Sequence, residues 1–261
     1  MTAVHGSTVD IQTQDGTADA YFVHPEGEAR HPAVLLYQDA FGPRPALNAM
    51  ADRLAAEGYV VLVPNVFYRE GRAPVAQLPA YIDDDNRGAL FASLMPLIQG
   101  LTPDLVVADA HAYLGWLADC PQVADGPVGI TGYCMGARLA LHTAGAYPDR
   151  VAAIGGFHGG RLATDQPDSP HLAVATMTAQ AYFGHADQDQ SMPPEQQERL
   201  EKALTEAGVT HRCEVYQGAG HGYTQSDTSD FHAEAAERHW TALLELFGRA
   251  LRGADGSQRN C

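Results

Sequence analysis

Apolar runs of about five residues alternate along this chain with longer stretches whose apolar positions recur every three or four residues. That alternation predicts strands and helices in turn, the pattern of a three-layer α/β fold. Ala33-Val34-Leu35-Leu36-Tyr37 is apolar throughout, as a strand covered on both faces requires. Val9 to Gln12 and Ala18 to Val23 read as two short strands ahead of it, joined by a turn at Asp15-Gly16. A helix is expected over Ala46 to Glu57, with Leu47, Met50 and Leu54 on one face and Gly58 as its stop. Tyr59 to Val63 is the next strand, closed by Pro64. Thr102-Pro103-Asp104 combines a capping hydroxyl, a first-turn proline and an early acid, so it opens a helix that runs to Ala118. Beyond it the pattern predicts a strand from Val128, a helix over Gly136 to Ala146 and strands at Val151 to Ile154 and Ala179 to Phe183. A helix over Pro193 to Ala207, a strand at Arg212 to Tyr216 and a closing helix over Phe231 to Leu251 complete it.

Phe67 to Gly100 breaks the rhythm with three prolines and the triplet Asp83-Asp84-Asp85. It reads either as an excursion covering the active site or as a surface loop with one irregular helix. No repeat, low-complexity tract or linker divides the chain, so residues 1–252 are expected to form one domain. The polar tail 253–261 is expected to be disordered.

Charge narrows the partners. The formal net charge is −16, from 32 acidic and 16 basic side chains. Phosphate backbones need clustered Lys and Arg, so nucleic acid is excluded as a partner. No stretch reaches the ~20 apolar residues that span a bilayer. Met1 to Asp10 has neither a basic n-region nor an apolar h-region. The four cysteines, Cys120, Cys134, Cys213 and Cys261, form no Cys-x-x-Cys pair and no zinc-like grouping. A reduced, cytoplasmic protein with no membrane partner, no metal and no organic cofactor is expected, as a monomer or weak homodimer.

The chemistry lies in Val128-Gly129-Ile130-Thr131-Gly132-Tyr133-Cys134-Met135-Gly136. A strand running into Gly-x-Cys-x-Gly describes a nucleophile elbow, a strand-to-helix turn that holds its middle residue on a strained corner. A thiolate there sits at a helix N-terminus, where the macrodipole favours it. It needs a base, and the base needs a group to orient it. His221 lies in Gly218-Ala219-Gly220-His221-Gly222-Tyr223 after the last strand. Asp187 and Asp189 both lie in the loop after the strand that ends at Phe183. The other three cysteines read as small buried hydrophobes or, for Cys261, as part of an exposed tail.

On these residues, together with Leu36-Tyr37-Gln38-Asp39-Ala40-Phe41-Gly42, the chain resembles the dienelactone hydrolase (carboxymethylenebutenolidase) family of the α/β-hydrolase superfamily. The resemblance implies a mostly parallel central sheet with helices on both faces. It also implies a small lactone or activated ester as substrate, cleaved through a thioester on Cys134 with His221 as base. Asp189, with Pro193 four residues on, matches the family's acid better than Asp187 does. The oxyanion would be met by the backbone N–H of Met135 and of Ala40. Asp39 stands where related enzymes carry a glutamate that contacts the resting thiol and takes its proton. One methylene shorter, it would need a bridging water as an auxiliary carboxylate. Gln225 stands where dienelactone-cleaving members have an arginine for the substrate carboxylate, so Arg69, Arg72 or Arg87 would have to compensate. Gln38, Phe41, Tyr133, His158 and Tyr223 are the expected pocket residues.

Two other classes share parts of this pattern. Class I glutamine amidotransferases also place cysteine on a Gly-x-Cys-x-Gly elbow, but their histidine is followed two residues later by glutamate, where this chain has Tyr223. A non-hydrolytic member that binds a ligand or senses oxidants through Cys134 is the third reading. Turnover separates it from a hydrolase.

Overall fold

A turn at Gln14-Asp15 pairs β1 (Val4–Thr13) with β2 (Gly16–Pro25) as an antiparallel hairpin, with Thr13 opposite Gly16. Both strands extend beyond the apolar segments that announce them. β1 is an edge strand with a single buried side chain, Ile11, so backbone pairing and not burial sets its length. The computed structural model describes residues 2–252, and the proposed tail 253–261, with Cys261, lies outside them.

β3 (Ala33–Tyr37), β4 (Val60–Pro64), β5 (Val128–Tyr133), β6 (Val151–Phe157), β7 (Gln180–Ala186) and β8 (His211–Tyr216) complete one sheet in the order β1-β2-β4-β3-β5-β6-β7-β8. β2 meets β4 antiparallel, and every pair from β4 to β8 is parallel. The result is the mostly parallel α/β-hydrolase sheet expected. Strand residues alternate between two cores. Leu35 and Tyr37 of β3 join one, Val34 and Leu36 the other, and all four are essentially inaccessible. Burying each such aliphatic side chain contributes on the order of 2 kcal/mol, so the central strands are mostly apolar on both faces, with Thr131 of β5 and His185 of β7 as buried polar exceptions.

The face containing Val34 and Leu36 is covered by α1 (Pro45–Ala56) and α6 (Ala233–Leu251). The opposite face is covered by α2 (Asp84–Gly100), α3 (Pro103–Asp119), α4 (Met135–Ala146) and α5 (Pro194–Glu206). Helix ends fall within about two residues of those expected from caps and glycines. The glycine pair Gly155-Gly156, which reads as a strand end, lies inside β6 and is paired to β7 throughout.

The segment after Phe67 resolves into a short 3₁₀ turn (Tyr68–Glu70), a bridge between Ile82 and Thr228, and α2. Asp83, first of the acidic triplet, caps α2 with a capping box completed by Asn86. A 3₁₀ segment at Pro170–Thr176 was not legible from periodicity. No single helix among the described residues is long and apolar enough to cross a membrane.

Candidate active site

Cys134 follows β5 directly and precedes α4, with φ 53° and ψ −112°. A side chain in that region costs ~1–3 kcal/mol and persists only where its surroundings impose it. The flanking glycines show how they do so. A Cβ on Gly132 would lie 2.2 Å from the Gly136 carbonyl oxygen, and one on Gly136 2.5 Å from that of Tyr37. Strand and helix therefore close against each other at Cα distance, and the cysteine is forced out of the corner.

The His221 ring meets the sulfur. Its Nε2 lies 3.0 Å from Cys134 Sγ and its Nδ1 2.6 Å from Asp189 Oδ2. The other oxygen of Asp189 accepts from the Ser191 N–H at 2.8 Å and the Ser191 hydroxyl at 2.7 Å. Asp187 faces elsewhere and accepts from the Gly218 N–H at 2.9 Å, tying the acid loop to the histidine loop. Gln188, between the two acids, has φ 53°, and this reversal separates their directions.

Burial opposes a charged His221, but the Cys134 sulfur and the Asp189 carboxylate outweigh it and raise the ring well above the ordinary histidine value. Burial pushes Asp189 up, and its bonds to His221 and Ser191 pull it below the usual carboxylate value. Stability from His221 is complete below its unfolded value of about 6.5 and drains as pH rises through the raised one. Stability from Asp189 is present above its ordinary value and is lost as pH falls through the depressed one. The melting temperature of the protein should therefore exceed that of His221→Gln most near pH ~6, with the gap narrowing under alkaline conditions. A gap that widens with alkali would contradict this. The ring is about one-third exposed (32%), so solvent screening keeps the effect modest.

Two cavities open at Cys134. The larger, about 570 Å³, runs along α2 and α4 and has Phe91, Met95, Ile98 and Leu139 in its wall. The smaller, about 250 Å³, is bordered by Asp39, Phe41, Arg87, His158, Gln225 and Asp230. α2 contributes to both, so the segment with two readings forms a wall of the cleft. Ala40 and Met135 border the larger cavity beside Cys134. Neither of their N–H groups is taken up by a turn or loop hydrogen bond among the described residues.

Several expected residues take other positions. Asp39 is not hydrogen-bonded to the thiol. Its carboxylate accepts from Arg44 at 2.7 and 2.8 Å and from the Phe41 N–H at 2.9 Å. Gln38 is fully buried and its amide lines neither cavity. Tyr133 and Tyr223 are core residues, not pocket walls. Tyr133 stacks near Phe157 and its hydroxyl meets His239 Nε2 at 2.9 Å, while the Tyr223 hydroxyl donates to the Gly184 carbonyl at 3.0 Å. Phe41 and His158 do border the smaller cavity. His158 is buried, bonded to Thr224 at 2.7 Å, and has its ring 5.5 Å from that of His221. Of the three compensating arginines, Arg69 is paired to Asp15 and Asp109 and Arg72 to Asp10. Arg87 borders the smaller cavity but is paired to Asp230 at 2.5 Å.

Arg44, Ser191, Arg138 and Arg161 belong to this neighbourhood and were not singled out from sequence. Arg44 bridges Asp39, Gln225 and Asp227, and the other three border the larger cavity. Among the described residues no group of three or more His, Cys, Asp or Glu is arranged to hold a metal ion.

Comparison with known proteins places this geometry in context. A model of the dienelactone hydrolase family matches residues 18–251. A Synechocystis protein named "Putative carboxymethylenebutenolidase" is 27% identical over 257 residues, covering 94% of this chain and all of its own. The carboxymethylenebutenolidase of Rhodococcus opacus is 28% identical over 221 residues, covering 84% of this chain and 81% of that one. A dienelactone hydrolase-like promiscuous phosphotriesterase from metagenomic libraries superposes with a TM-score of 0.80 at 22% identity, over 95% of this chain and 99% of the other. That last likeness is one of fold.

Proposed function

The chain belongs to the dienelactone hydrolase family, and on that premise we propose that it cleaves a lactone or small activated ester through a thioester on Cys134. The observation that carries the reading is the chain of contacts from sulfur to imidazole to carboxylate, 3.0 and 2.6 Å long, at a Gly-x-Cys-x-Gly elbow that opens into a cleft.

The steps follow from the geometry. His221 Nε2, 3.0 Å from the sulfur, is the base that takes the thiol proton as Cys134 becomes the nucleophile. Sulfur attacks the ester carbonyl and the carbonyl oxygen takes up negative charge. On this reading the N–H groups of Met135 and Ala40, which border the cavity with Cys134, receive that oxygen, and one such donor is commonly worth ~3–4 kcal/mol in the transition state. His221 then protonates the departing alkoxide, which for a lactone stays tethered through its acyl chain. Water enters, His221 removes its proton, and the hydroxide expels the thiolate from the thioester. Asp189 keeps Nδ1 protonated throughout, so Nε2 is the nitrogen that exchanges the proton.

The test is steady-state hydrolysis of dienelactone and of 4-nitrophenyl acetate, with acid quenching and mass analysis of the peptide containing Cys134. Turnover with an acyl group on that peptide is the expected result. Turnover with the peptide unmodified at every quench time would point to another nucleophile. A protein that turns over neither ester but oxidises reversibly at Cys134 would be a sensor.

A further inference from the structure

We propose that the ring of His158 offers an Nδ1–H donor to the smaller cavity, so that the preferred substrates carry an uncharged oxygen, as an ether, ketone or hydroxyl, on a short arm beside the scissile carbonyl. This rests on the hydrolase reading and adds a substrate class to it.

The backbone sets the ring in place. His158 follows β6 directly, with φ 38°, and its N–H donates to the Gly184 carbonyl at 2.8 Å. Left-handed backbone is uncommon outside glycine and persists only where the surroundings impose it. The side chain it projects is fully buried and borders the cavity. Its ring packs edge-on with those of His221 and Tyr223, at 5.5 and 5.0 Å between centroids.

The neighbours decide which ring nitrogen carries the proton. Gln225 accepts from Arg44 through Oε1, which leaves its Nε2 to donate to Thr224 Oγ1 at 3.0 Å. The Thr224 hydroxyl must therefore place its own hydrogen elsewhere. Among the described residues its one bonded acceptor is His158 Nε2, at 2.7 Å. Burial, joined by the nearby His221, pushes His158 well below the ordinary histidine value. The ring is thus neutral, with Nε2 accepting and its single proton on Nδ1. Nδ1 lies near its own backbone carbonyl but outside bonding geometry, and it has no hydrogen-bond partner. A buried donor left unpaired is costly, and an acceptor entering the cavity removes that cost.

The other polar side chains of this cavity are engaged. Asp39 and Gln225 bind Arg44, Asp230 binds Arg87, and the Thr228 hydroxyl donates to the Gln225 carbonyl. Arg44 also holds a second carboxylate, Asp227. An anion entering here meets two arginines already neutralised and the carboxylates of Asp39 and Asp230, whereas an uncharged oxygen needs one donor alone. At about 250 Å³ the space suits a short chain. The larger cavity, which shares Cys134 and His221 with it, has the apolar wall for the bulkier part of the substrate.

The experiment compares kcat/KM for 4-nitrophenyl esters of matched acyl length: 4-methoxybutanoate, hexanoate and the monoester of glutarate. The ether ester should be preferred over hexanoate by about fivefold, the scale of one neutral hydrogen bond, and the anionic ester should be the slowest. His158→Phe keeps a ring and removes the donor, so the ether-to-hexanoate ratio should fall to about one. Thr224→Val removes the hydroxyl that holds Nε2 as acceptor and should lower the ratio in part. It serves as the test if phenylalanine is not tolerated in left-handed backbone. A readout independent of turnover is nitrogen NMR of the histidine rings. At neutral pH His158 should show the Nδ1–H tautomer, and its Nδ1 proton should move downfield on addition of δ-valerolactam, an uncleaved acceptor. An Nε2–H tautomer would overturn the inference, as would brisk hydrolysis without preference for the ether or with preference for the glutarate ester. Each of these leaves the hydrolase reading intact. An Nδ1–H ring that responds to the lactam, in a protein that turns over no ester, would keep the donor site and defeat the hydrolase reading.

Discussion

Cys134→Ala is expected to lower kcat/KM for any ester this protein hydrolyses by roughly 10⁴-fold or more, the scale seen when a nucleophile is removed from an intact triad. Among the described residues only this side chain lies at 3.0 Å from His221 Nε2, and Ala40 and Met135 border the same cavity. The fold should survive. Alanine at φ 53° is strained about as much as cysteine, and the elbow is held by Gly132, Gly136 and the pairing of β5 with β3 and β6. Circular dichroism should therefore be unchanged while turnover collapses. His221→Ala should approach the same loss, and the double variant should be no worse than either single one, because the two act as a unit. Cys134→Ser should also be severely impaired, since a hydroxyl does not form the ion pair that His221 supports at a thiol. Activity within tenfold of the parent in Cys134→Ala would remove the thioester from the mechanism.

Cys134 and His221 were legible in sequence because their signals are local: glycines two residues either side of one, and adjacent glycines around the other. The sheet was legible for a similar reason, since strands covered on both faces read as short, mostly apolar runs. Asp189 against Asp187 was harder. Both lie on one loop, and only the left-handed Gln188 sends them to different partners. Tyr133 could have been read more closely. It is the last residue of β5, and by strand alternation it faces the α6 side with Phe157 and His239, away from the cleft. Arg44 carried no local signal at all, because two of its three partners lie more than 180 residues away. The role expected of Asp39 failed for that reason: the cation that captures it could not be seen from Gln38-Asp39-Ala40.

Arg44→Met is expected to destabilise the protein by about 3–5 kcal/mol, the usual cost of stranding a buried charge. The Arg44 and Asp39 side chains are only 5% and 3% exposed. Two parallel bonds join them, a third acceptor is Gln225 at 3.0 Å, and Asp227 receives the remaining side of the guanidinium at 2.5 Å. Burial works against the cation, but the two carboxylates outweigh it and hold Arg44 firmly protonated. Methionine replaces the stem and none of the charge, so Asp39 keeps only the Phe41 N–H. Urea unfolding monitored by fluorescence measures the loss, and a cost under about 1 kcal/mol would mean that the pair behaves as a solvated surface bridge. Arg44→Met with Asp39→Asn should recover part of the loss, because no uncompensated buried carboxylate remains at position 39. Activity should nevertheless stay low in the double variant. Arg44 joins the loop that carries Ala40 to the loop between β8 and α6, which carries both Asp227 and His221. Without that tie the loops of Ala40 and His221 are no longer held on one frame. Stability regained without activity would assign Arg44 to positioning of the site, and full recovery of both would confine it to the folded state's charge balance.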